Sequence, residues 1–139
     1  MIDEVLISKA ESIERCLERV RSTYIGHEAD FAESYDLQDI IVLNLQRACE
    51  AAIDMANRMI RLRRLRYPRE SKESFDRLVA AGLLTPELGE TMGRMVGFRN
   101  IAVHEYQELD IEKVRHIVEH RLADVQAFST AMLRADPGG

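Results

Sequence analysis

From Leu37 to Leu62, apolar side chains return every three or four residues for about seven turns. This spacing puts Leu37, Ile41, Leu45, Ala48, Ala52, Met55, Met59 and Leu62 on one face of a helix. Pro68, which cannot continue a helix, stops the segment. A stripe this long makes it the spine of a bundle, and the rest of the chain reads as its partners. Ahead of it, Val5, Leu6, Ala10, Ile13, Leu17, Val20 and Tyr24 keep the same spacing up to Gly26. The connection from 28 to 39 holds Glu28, Asp30, Glu33, Asp36 and Asp39 without a basic residue. It reads as solvated, with Asp36 as the cap of the long helix.

Beyond Pro68 a short helix starts near Ser71, turns Phe75, Leu78 and Val79 inward, and ends at Gly82, whose missing Cβ suits the left-handed position after a helix. Thr85, Pro86 and Glu87 combine a capping hydroxyl, a first-turn proline and a carboxylate at the positive dipole end, so a fourth helix is expected over 86 to about 106. Asp110 caps a fifth, buried along Ile111, Val114, Val118, Leu122, Val125, Phe128 and Met132. The expectation is an all-α antiparallel bundle of four long helices and one short one. It forms a single domain over 1–135, with 136–139 as a frayed tail.

At 139 residues, 46% of them hydrophobic, one core that buries roughly two-thirds of the unfolded surface suffices. The net charge of −5 argues against a protein that coats nucleic acid nonspecifically, because such binding rests on cations neutralising phosphates. Cys16 and Cys49 lie at or beside apolar faces without metal-like spacing and read as reduced structural thiols. No apolar run reaches the roughly 18 residues of a membrane span, and the first residues are not leader-like, so a cytoplasmic protein with no membrane contact is expected.

The fourth helix ends in Arg99-Asn100-Ile101-Ala102-Val103-His104-Glu105-Tyr106. This run resembles the R-x4-H-x-Y signature of HepT-type HEPN proteins, and the resemblance in helical layout extends over nearly the whole chain. It implies a HEPN-like fold and the toxin component of a type VII toxin–antitoxin system. Such a toxin is a metal-independent endoribonuclease without cofactor and a homodimer whose two motifs face one cleft. It is neutralised when a partner nucleotidyltransferase antitoxin transfers AMP to the motif tyrosine, here Tyr106. A HEPN binding module that docks the nucleotidyltransferase without cleaving is the alternative.

The residue types suit that chemistry. Cleavage of RNA through its own 2′-hydroxyl needs a proton acceptor near neutral pH, the role open to His104. Arg99 offers a planar, permanently charged fork to the phosphate oxygens, and Asn100, one turn before His104, can orient the imidazole or bind an oxygen. Arg99 and His104 are five residues apart, however, and at about 100° per residue they point about 140° away from each other. Either the helix distorts or two subunits pool their residues. Gly89, Gly93 and Gly97 form a stripe that costs about 1 kcal/mol per glycine against alanine and implies a close helix approach, within or between subunits. Tyr106 shares the face of Arg99 if the helix persists. On their own, a helix-terminal Arg and His are more often dipole partners, and a lone Tyr more often packing.

The chain holds two further patterns of charged residues. Arg58, Arg61, Arg63, Arg64, Arg66 and Arg69 form a basic stretch with no acid among them. It reads equally as an RNA or partner contact, with Arg61, Arg64 and Arg66 as candidates, or as cations favoured at a helix C-terminus. His116-Ile117-Val118-Glu119-His120 matches a zinc-hydrolase pattern, but the stripe of Val114, Val118 and Leu122 turns both histidines away from the core. No metal is assigned.

Overall fold

A computed structural model describes residues 1–138 of the chain. Among the described residues are six α-helices and one 3-10 turn and no strand. α1 (Glu4–Tyr24) begins where the Asp3 carboxylate accepts the N–H groups of Val5 and Leu6, at 3.0 and 3.2 Å. Its expected stripe is buried except at Val5, which is 40% exposed on the first turn, and at Ala10, which is half-buried.

The acidic connection is anchored by Phe31, which is fully buried edge-on to Tyr24. Buried Gln38 donates to the Phe31 and Ala32 carbonyls at 2.9 and 3.2 Å. Ser34 caps α2 (Tyr35–Leu62) by accepting from Leu37 N–H. The capping expected of Asp36 therefore falls to Ser34, and Asp36 lies in the first turn, where the dipole still favours it. α2 is the spine, touching α1, α3 (Ser71–Ala80), α4 (Pro86–His104) and α6 (Leu122–Ala135).

α3 ends as its sequence demands. Gly82 takes φ +75°, Leu83 N–H reaches the Leu78 carbonyl and Gly82 N–H that of Val79. Thr85 and Pro86 start α4 and Asp110 starts α5 (Ile111–His120). The expected last helix divides at Arg121, whose φ of −119° breaks it into α5 and α6, although the apolar stripe from Val114 to Met132 stays buried across the bend. Neither Pro nor Gly marks the bend, so no local signal announces it.

The expected fraying after 135 is replaced by a clasp. Asp136 is buried and accepts from Asp3 N–H and Gly138 N–H, while Arg58 grips both Asp3 oxygens at 3.1 and 2.6 Å. Gly139, the end of that expected tail, lies outside the described residues. No helix among the described residues is long and apolar enough to cross a membrane.

Candidate functional site

α4 carries the motif, and it is seated by α3. A Cβ at Gly89 would overlap the Val79 Cγ2 methyl, and one at Gly93 would come within 3.3 Å of the Lys72 side chain. Two of the three glycines thus serve the α3–α4 contact inside one chain, whereas a Cβ at Gly97 would meet nothing. This close approach brings the start of α3 beside Arg99. The half-buried guanidinium donates from Nη2 to Ser71 Oγ at 3.3 Å, and its buried Nε–H has no partner.

Beneath lies Cys49, whose thiol burial pushes up to about 12, with the Arg99 charge pulling the other way. An unpaired donor that is shielded from water is costly, and an anion over Arg99 would satisfy it. A groove of 520 Å³ opens there, lined by Ser71, Lys72, Arg94, Gly97, Arg99 and Asn100 among others. Lys72 and Arg99 give it a positive rim beside the carboxylate of Glu70, whereas Arg94 is paired with Glu90 at 2.7 Å.

His104 is the last residue of α4 and is exposed, with Asn100 exposed one turn earlier on the same face. The helix is regular through His104, so distortion does not bring it to Arg99. The five-residue step leaves their side chains about 140° apart around the axis. After His104 the backbone leaves the helix at Glu105 (φ −141°), and Tyr106 opens the 3-10 turn Tyr106–Glu108. The shared helical face expected for Arg99 and Tyr106 is therefore lost. Tyr106 is 44% exposed and donates its phenol proton to Asp39 Oδ1 on α2. Its pKa is pushed up to about 12, by partial burial first and then by the bond to, and charge of, Asp39.

Asp39 and Ser71 are the residues that the sequence does not reveal as neighbours of the motif. Each lies far away in the chain, and neither belongs to a spacing pattern. The basic stretch is only partly brought into play. Arg58 is bound to Asp3, and Arg63 donates to the Ala135 carbonyl at 2.5 Å. Arg61, Arg64 and Arg66 are exposed and in no ion pair among the described residues. They stand at the far end of α2 from Asp39, about 33 Å along the axis at 1.5 Å per residue. The His116 and His120 rings lie 4.8 Å apart, tilted by 42°, but Glu119 accepts instead from Tyr24. No cluster of three or more metal-ligating side chains exists among the described residues.

Comparison with known proteins agrees with this layout. The family described as "Ribonuclease HepT-like" matches residues 13–132. The mRNA nuclease HepT of Shewanella oneidensis is 42% identical over 127 residues, covering 91% of this chain and 95% of that protein. The tRNA nuclease HepT of Aphanizomenon flos-aquae is 30% identical over 114 residues, covering 81% and 78%. Among solved structures, a tri-AMPylated Shewanella oneidensis HEPN toxin in complex with an MNT antitoxin superposes with a TM-score of 0.90 at 40% identity. It covers 94% of this chain and 98% of that one. Both curated relatives are nucleases, so the non-cleaving alternative is not retained. The chain belongs to the ribonuclease HepT-like family and is an endoribonuclease toxin of the HEPN fold.

Proposed function

We propose that the chain cuts RNA without a metal in a cleft shared by two subunits, with Arg99 of one protomer and His104 of its partner acting on one phosphate. The observation that carries this is the unbroken α4, which aims Arg99 into the α3 groove and His104 out to solvent. Gly97, with nothing near it, and Ile101, 39% exposed, leave that outer face of α4 free to receive a second copy.

In the cleft, His104 takes the proton of a ribose 2′-hydroxyl, and the 2′-oxygen bonds to phosphorus. The bond to the 5′-oxygen breaks, leaving a cyclic phosphate; the 5′-oxygen takes a proton from water, and His104 returns its own to solvent. Arg99 meets the growing charge on the phosphoryl oxygens with its free Nε–H, and Asn100 orients the imidazole or an oxygen. Arg61, Arg64 and Arg66 contact the RNA backbone or the antitoxin at the other end of α2.

Tyr106 is the control point. An MNT-type nucleotidyltransferase transfers AMP to its phenol, two residues past His104, and the added phosphates and bases obstruct RNA at the shared cleft. The tri-AMPylated, antitoxin-bound state of the Shewanella relative supports this. Both RNA and the nucleotide donor place the work in the cytoplasm. The test is cleavage of a defined RNA in EDTA by wild type, Arg99→Ala and His104→Ala. Cleavage should survive the chelator and fall by about 10²- to 10⁴-fold in each variant, with helical content kept. A well-folded His104→Ala protein with full activity would overturn the assignment.

A further inference from the structure

We propose that Asp39 is the catalytic proton acceptor for nucleotidyl transfer to Tyr106, so that the toxin itself carries the base used to silence it. This rests on the reading of Tyr106 as the modified residue. The exit of the chain from α4 at Glu105 brings Tyr106, at the start of the 3-10 turn, within reach of the N-terminal part of α2. There the phenol meets Asp39, 67 residues away in sequence. Among the described residues Asp39 makes no ion pair and no other side-chain hydrogen bond. Its carboxylate is exposed and committed to this one proton.

The chemistry needs such a group. In the step, the phenol oxygen bonds to the α-phosphorus of a nucleoside triphosphate, the α–β phosphoanhydride bond breaks, and pyrophosphate leaves. The phenol proton passes to the Asp39 carboxylate and from there to solvent. With the phenol held protonated far above neutral pH, free phenolate is scarce, and the proton must leave as the new bond forms. A carboxylate in contact with an attacking hydroxyl is the arrangement by which protein kinases accept a substrate proton.

The experiment uses wild type, Tyr106→Phe, Asp39→Asn and Asp39→Ala, each incubated with the cognate nucleotidyltransferase, magnesium and ATP. Initial rates of AMP gain are read by intact mass from pH 6.5 to 9.5. Asparagine preserves a hydrogen-bond acceptor for the phenol but cannot take the proton. Both Asp39 variants are therefore expected to be slower than wild type by about 10²-fold or more at pH 7. The ratio of wild-type to Asp39→Asn rate should shrink as pH rises and hydroxide takes over. An Asp39→Asn rate within threefold of wild type at pH 7, with only Asp39→Ala slow, means that the contact merely positions the phenol and overturns the proposal. If Tyr106→Phe gains AMP as fast as wild type, the acceptor lies elsewhere and the underlying reading falls with it.

Discussion

Substituting Gly89 by alanine probes the α3–α4 contact that seats Arg99. Two effects oppose each other. Alanine gains about 1 kcal/mol of helix propensity over glycine in a helix interior. Its methyl, however, would overlap Val79 Cγ2, and valine in a helix is held to essentially one χ1 rotamer, so it cannot swing aside. Overpacking of this kind costs about 1–3 kcal/mol, which leaves a net loss of up to about 2 kcal/mol. For a chain of 139 residues each kcal/mol moves the melting temperature by about 3 °C.

In a Val79→Ala background the overlapping methyl is gone, and Gly89→Ala should become stabilising by about 1 kcal/mol, reversing sign. Because α3 also carries Ser71, RNA cleavage should drop in Gly89→Ala and recover in the double variant. Thermal and urea unfolding of the four proteins, paired with a cleavage assay, completes the cycle. A rise of about 3 °C for Gly89→Ala in the wild-type background would refute the reasoning, since that is how a glycine in open space behaves.

Tyr106→Phe should fold normally and keep arresting growth when co-expressed with the nucleotidyltransferase, as followed by growth and intact mass. Arg64 occupies the left-handed position after α2 at φ +54°, so Arg64→Gly should raise stability by about 1 kcal/mol in urea unfolding. If Arg64 contacts RNA or antitoxin, the same change weakens that binding. Cys49 and Tyr106 both hold their protons more tightly folded than unfolded. Their contribution is therefore whole below about pH 9 and is lost as pH rises toward 12, because the unfolded chain ionises first. The melting temperature should fall through that window, less steeply in Tyr106→Phe, and native Cys49 should resist alkylation at pH 8.

The features written in local chemistry were legible. Gly82, Thr85-Pro86 and Asp110 each punctuate a helix through a backbone requirement met within a few residues, and the structure places the breaks there. The misplaced details depend on distant partners. Ser34 and Asp36 are both competent caps, and the choice follows from Phe31 plugging the core just upstream. The bend at Arg121 comes from packing, with no residue to announce it. In the site, spacing alone gave the opposed directions of Arg99 and His104. Ser71 and Asp39 were invisible, because only tertiary structure carries them to the motif.

The shared cleft is tested most directly by mixing inactive Arg99→Ala and His104→Ala subunits, with exchange verified by native mass spectrometry, and measuring RNA cleavage. If each site joins Arg99 of one protomer to His104 of the other, every mixed dimer has one intact and one doubly dead site. With half the dimers mixed, about one quarter of wild-type activity should return. No recovery despite demonstrated exchange would contradict the account, because a site contained within one chain stays dead in every combination.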